Sequence, residues 1–314
     1  MSNQKTNRRV IRFGLESSYN AEAMPAEMAA IQPTSIEVTP LSGDDIQRSV
    51  IRPYYGNTPG LPGEKHMQVQ LAVEMVSPES AGSAPPWGSL LRACGFAETL
   101  IAADGDTPAQ VVYTPVSDNE ASGRLYCHVD KTLHEGRGAR GTVQFALNAQ
   151  SVPTMTVTFM ALLRPIVDAA LPTVDLSAWQ APLAINSANT DLSVFGRDST
   201  PFSQFSLDMA VQTRHRTVVD ANDVAITGRA PSGSMQIDDP GVAEINFFQR
   251  ALAREPGPIV FAHGTEAGKT LELNLPRVTI QAPSYADDEG DQMLTIPYTP
   301  EPVAGDDEVR IVCR

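Results

Sequence analysis

The sequence predicts a mainly β chain of two tandem domains, each flanked by one helix. Three observations point there. Among 314 residues there are 25 Pro and 22 Gly, a mix that favours many short strands and turns over long helices. Short stretches of apolar and polar residues alternate along most of the chain. Only two stretches have helical spacing, one in each half.

The chain opens on residues 1–35, which hold one brief alternation, Ile11, Phe13 and Leu15, and otherwise read as an arm. Residues 35–38 form a strand that Pro40 closes. Residues 43–66 are rich in Gly, Pro and Tyr and read as a long loop. Connections of that length in compact proteins usually serve a purpose. Alternation returns in 67–76, with Val69, Leu71 and Val73 on one face. Residues 87–95 read as a short helix, because Trp87 pairs with Leu91 and Leu90 with Cys94 four apart, and Gly95 stops it. Strands follow at 111–116, 124–129, 142–147 and 155–162. Residues 136–141 and 148–153 read as the turns around the third of these.

Residues 164–201 read as a linker, broken by Pro165, Pro172, Pro182 and Pro201. Beyond it, strands are expected at 205–211, 218–226 and 235–237. A helix is expected at 242–254, with Ile245, Phe248 and Leu252 on one apolar face. Residues 259–262 and 271–275 make a hairpin, and 278–282, 293–298 and 309–313 complete the strands. The halves share this order of parts. Asp45-Ile46, Arg52, Pro53 and Gly56 parallel Asp223-Val224, Arg229, Pro231 and Gly233, which suggests a duplicated domain divided as 1–170 and 171–314.

Composition narrows the function. The net charge is −14, from 37 acids against 23 bases, so the chain repels nucleic acid on average. No apolar run reaches the roughly 18 residues of a membrane span, and no signal-type apolar segment follows the polar start. Cys94, Cys127 and Cys313 form no C-x-x-C pair and read as small buried thiols in a reducing compartment.

No motif assembles a reaction. Residues 264–270, GTEAGKT, are one residue short of a phosphate loop and lie between two strands, so a hairpin turn is the better reading. His134-Glu135 lacks the second histidine of a zinc helix. His66, His128, His134, His215 and His263 are scattered. The acids at 287–291 and 306–308 lack the spaced ligand set of a calcium loop and read as solvated turns. Arg137 and Arg140 read as a basic turn. We assign no catalytic, cofactor-binding or metal-binding residue and expect no enzyme.

Several stretches resemble the major tail tube proteins of long-tailed, non-contractile bacteriophages. Residues 87–96, WGSLLRACGF, are similar to the family's helix. Residues 138–143, GARGTV, followed by 153–159, PTMTVTF, are similar to its central hairpin. Pro283-Ser284-Tyr285, Asp288 with Gly290, and 305–308, GDDE, resemble its closing strands. The resemblance runs from about residue 50 to 312. It implies tail-tube-type β-sandwich or barrel domains with a flanking helix, and a protein that self-assembles into stacked rings through which DNA leaves the virion. Single-domain tube proteins are shorter and form rings of six. Two domains per chain therefore imply a homotrimeric ring with pseudo-sixfold symmetry, with a hexamer as the lesser alternative. The implied neighbours are the tape measure protein, the tail terminator and the distal tail protein. Double-stranded DNA is a transient passenger, and no cofactor is implied. The implied location is the virion tail, after assembly in the host cytoplasm. The competing reading is another virion β-protein, such as a baseplate, terminator or carbohydrate-binding component. If the chain lines a tube, its charge suggests an acidic lumen, with Glu272 as one candidate.

Overall fold

The computed structural model describes all residues except 1–4, 6, 79, 106, 107 and 267. The first half holds β1 (Arg9–Leu15), β2 (Ala29–Ile31), β3 (Pro33–Ser42), β4 (His66–Glu74), helix α1 (Gly88–Arg92), β5 (Phe96–Ile101), β6 (Gln110–Pro115), β7 (Gly123–Val129), β8 (Thr132–Ala146) and β9 (Thr154–Leu163). Two short strands, β10 (Val167–Asp168) and β11 (Thr190–Val194), interrupt the Pro-rich middle. The second half holds β12 (Phe202–Asp208), β13 (Val211–Val218), β14 (Ala221–Arg229), β15 (Ser232–Asp238), helix α2 (Phe247–Ala253), β16 (Gly257–His263), β17 (Leu271–Ile280), β18 (Ser284–Asp288), β19 (Asp291–Pro300) and β20 (Arg310–Cys313). The mainly β class and the single helix in each half are as the sequence predicts.

Antiparallel pairing joins eight of these strands into one open sheet. Its order is β3-β4-β9-β8-β12-β15-β19-β18. The alternation read in 67–76 explains its inner face: Met67, Val69, Leu71 and Val73 are buried, and Val157 and Phe159 of β9 pair beside Leu71 and Val69. Two further layers cover that face. Over the first half lie β2, β1 and β7, with Phe13 stacked on Phe159 at 5.2 Å. Over the second half lie β11, β16 and β17, with Phe205 stacked on Phe261 at 5.8 Å and on Tyr298 at 5.6 Å. Such offset aromatic pairs add to the burial of their own area.

The two halves share backbone pairing. Strand β8 joins β12 through Ser206↔Ala146 and Asp208↔Gln144. The C-terminal β20 lies between β17 and β6. The hairpin β13–β14 stands outside the sheet as a two-stranded ribbon.

Several expected boundaries need correction. Residues 9–31 are no arm: Ile11, Phe13 and Ile31 are core. The segment between β1 and β2 is tied down by the buried Arg124, which donates to the Ala21 and Glu22 carbonyls. Glu16 accepts from Ser122 Oγ at 2.7 Å and Gly138 N at 3.1 Å. Residues 136–141 are not a turn. They continue β8 through a bulge between Arg137 and Arg140, with Gly138 at φ +59°, and the true turn is at Asp130. Gly141 is required there because a Cβ would collide with the Thr158 carbonyl. Strand β3 runs through Pro40, which an edge strand tolerates because one row of its N–H groups has no ladder partner. Residues 212–217 belong to a strand, and the hairpin turns at Asp220, φ +67°.

The second helix is shorter than expected. Asn246 caps it by accepting from Gln249 N at 2.9 Å, and Arg254 ends it in the left-handed region. This start turns Phe247 into the core and leaves Leu252 88% exposed, contrary to the predicted apolar face. The strands β5 and β18 carry too little alternation to have been read.

Arg229 fastens the ribbon to the body. It donates to Glu308, Asp306 and, at 2.9 Å, the Val116 carbonyl. Glu308 is almost wholly buried. Removing the guanidinium strands that carboxylate, so Arg229→Ala is expected to cost about 3–5 kcal/mol. Chemical denaturation should show a lowered midpoint, and a loss under about 1 kcal/mol would mean the cluster is solvated after all.

Candidate functional site and assembly surfaces

Three surfaces on or beside the eight-stranded sheet are open, at least in part, among the described residues. The first is its outer face. Alternation that buries Val69 and Leu71 turns Gln68 and Gln70 outward, and register carries the same face across the strands. Thr156 and Thr158 of β9, Gln144 of β8, Gln204 and Ser206 of β12, and Ser234 and Gln236 of β15 continue it. Glu37, Glu74, Asp208 and Asp238 are its acids. Amides and hydroxyls dominate. Glu272, expected as a lumen acid, lies elsewhere, on β17 in an ion pair with Arg314.

The second surface is a pair of open edges. Strand β3 pairs only with β4, and β18 only with β19, among the described residues. Open edges are templates for another chain's backbone.

The third surface comprises two protrusions. Residues 43–66 form a loop closed at its base, where Ile46 and Leu61 exchange backbone bonds of 2.8 and 2.9 Å. The ribbon β13–β14 ends in the exposed Val218 and Val219. Loop and ribbon meet at the loop's base, where the rings of His66 and His215 lie 4.9 Å apart. His215 Nε2 bonds Asn222 Oδ1 at 2.7 Å, and Asn222 donates to Glu64 at 3.2 Å.

Burial first, and then His215, hold the His66 pKa below its ordinary 6.5. A histidine depressed in the folded state contributes stability that is present above its unfolded pKa and is lost as pH falls through the folded one. His128, His134 and His263 are shifted the same way, chiefly by burial. Acidification from pH 7.5 to 5 should therefore loosen the ribbon. Protection factors across 211–229, corrected for the intrinsic pH dependence of amide exchange, should fall, and His66→Gln should reduce the difference. Equal protection at both pH values would remove the histidine pair from any such role.

The remaining sequence candidates are not brought together. Residues 264–270 connect β16 to β17 as a turn. Arg137 pairs with Glu135 at 2.6 Å, while Arg140 reaches the Val224 carbonyl at 3.2 Å. The acids at 287–291 sit around the β18–β19 turn, and Asp306 and Glu308 hold Arg229. No group of three metal-ligating side chains occurs among the described residues, and no helix there is long and apolar enough to cross a membrane. The three cysteines are free and buried. Burial pushes the Cys127 thiol up to about 12 and the other two up as well, so all three are poor nucleophiles at neutral pH.

Residues 6–301 match the family described as phage tail tube protein. The chain is a phage tail tube protein. Its place is the tail of the virion, and its role there is structural. No curated protein matches the chain. In this tail tube protein the surfaces open to partners are sheet edges, a sheet face and two protrusions. The sequence marks the loop 43–66, but not the edges.

Proposed function

We propose that three copies of this chain join edge to edge into a closed ring, and that stacked rings form the tube through which DNA leaves the virion. The junction between β8 and β12 is the observation that carries the reading. Within one chain, β3-β4-β9-β8 is followed by β12-β15-β19-β18. Each set begins with a strand that leads into a protrusion, the loop 43–66 or the ribbon β13–β14. Each continues with the strand returning from it and ends on two strands of one hairpin. In this order β12 corresponds to β3 and β8 to β18. The contact already made between β8 and β12 is thus the contact that β18 of one copy can make with β3 of the next.

Closed cyclic symmetry suits such a heterologous contact, since an unclosed one would grow without limit. We take each half, 1–170 and 171–314, as one tube domain. Three chains then supply the six domains that the family resemblance implies. The tape measure protein would occupy the channel, with the tail terminator and distal tail protein at the ends. A symmetry-resolved electron microscopy image of one ring tests the count. Three chains per ring are expected, and six chains would rule out the trimer and leave one half as an outward decoration.

A further inference from the structure

We propose that the loop 43–66 of one copy lies across helix α2 and strand β18 of the neighbouring copy in the same ring, as the ribbon β13–β14 lies across the first half within each chain. The proposal rests on the ring reading above and assigns the loop a lateral partner.

Loop and ribbon occupy the same place in the order of parts. The ribbon leaves its own half. Val224 N donates to Tyr19 Oη and its carbonyl accepts from Arg140, while Ile226 reaches Gly95 at the end of the α1 segment. Leu90 and Leu91 of α1 are fully buried.

The corresponding ground in the second half is bare. Leu252 on α2 is 88% exposed, and Tyr285 on β18, tilted against Phe248 at 5.4 Å, is 64% exposed. A neighbour docked on the β18 edge would bring its β3 there, and with it the loop that β3 feeds. The loop carries matching chemistry. Ile51 and Tyr55 are fully exposed and Tyr54 largely so, an arrangement costly in a lone monomer and useful at an interface. Its Arg48 and Arg52 would face the exposed acids of the β18–β19 turn, Asp287 and Asp288 among them. Reach agrees as well. Residues 47–60, doubled back, extend roughly 20 Å, and the ribbon's eight-residue strand about 25 Å.

The test is cross-linking in assembled protein. Tyr55→Cys in one population and Leu252→Cys in another are mixed, assembled and treated with a short bis-maleimide. The native cysteines are buried and do not compete. The doubly substituted chain is treated likewise, and Ile51→Cys with Tyr285→Cys repeats the measurement at a second pair. All four positions are exposed, so folding is not at stake. The expected result is heterodimers from the mixture, and from the doubly substituted chain a ladder whose largest member is the size of one ring. A ladder extending beyond the ring would place the loop between stacked rings and overturn the proposal. Rings or tubes by electron microscopy with no cross-link at either pair would overturn it and leave the ring reading intact. Protein that forms no ring at all would sink both.

Discussion

Glu37→Pro and Val38→Pro, made separately, are expected to part company: one will melt like the parent protein and build no tubes, and the other will melt early. Successive residues of a strand point their N–H groups to opposite sides. In β3 one side faces β4, through Glu37↔Gln70 and Val38↔Val69, and the other faces no strand among the described residues. Proline removes the donor wherever it sits. At the inward position it breaks a rung of the β3–β4 ladder and lowers the thermal midpoint. At the outward position it leaves the monomer's ladder whole and removes a rung from the contact with β18 of the next copy. Strand β18 has only five residues, so the loss of one rung, with a ring clashing at the seam, should abolish assembly. The existing Pro33 and Pro40 sit at the ends of β3, near its two register shifts, and leave 35–39 free of proline, with the Ile36 carbonyl there accepting from Arg9 Nη1 at 2.9 Å. Circular dichroism melts and negative-stain images of both variants decide the matter. Tubes in normal yield from both would show that β3 is not a ring seam.

That seam was invisible in the sequence, and the reason is physical. Strands with one buried face announce themselves by alternation, as Val69, Leu71 and Val73 do. Strand β18, with the residues SYADD, buries nothing fully within the chain and carries no such signal. Pairing partners at long range leave no local mark either, so neither β8–β12 nor β20–β6 could be read, although each of these strands except β8, whose first ten residues were missed, was found to within a few residues. Glycine misled in β8, where Gly136, Gly138 and Gly141 suggested a turn. They serve a bulge and two close approaches inside one long strand. In α2 the apolar face was misread: the helix starts at Phe247, after the Asn246 cap, with Phe247 and Ala251 packed on the core and Leu252 outside. The element order, by contrast, was legible, because short alternating runs and two helical stretches are local features.

Lysines placed on the outer face of the eight-stranded sheet are expected to leave the tube intact and make it hold DNA. The substitutions are Gln70→Lys on β4 and Gln236→Lys on β15, one in each half. Gln70 is exposed and Gln236 half-buried, both turned away from the core, so folding and the strand edges are spared. If this face lines the channel, its present chemistry explains how DNA can pass without being gripped. Amides and hydroxyls offer phosphates little, and Glu37, Glu74, Asp208 and Asp238 mildly repel them. Repulsion from these acids is screened beyond about 8 Å at physiological salt, so it acts only where the duplex nears the wall. Lysines reverse the balance, because each phosphate neutralised releases condensed counterions. A wall making six to ten such contacts would gain roughly 10³–10⁵ in affinity between 200 and 50 mM salt. Purified tubes carrying both lysines should retain linear duplex DNA at 50 mM salt and release it at 200 mM. Phage built with them should eject more slowly than the parent. The net charge of −14 alone had pointed to a lumen lined mainly by acids. The sheet instead gives a face of Gln, Thr and Ser with acids between them, and most of the chain's acids lie elsewhere. Normal tubes that retain no DNA at 50 mM salt would place this face outside the path of the genome.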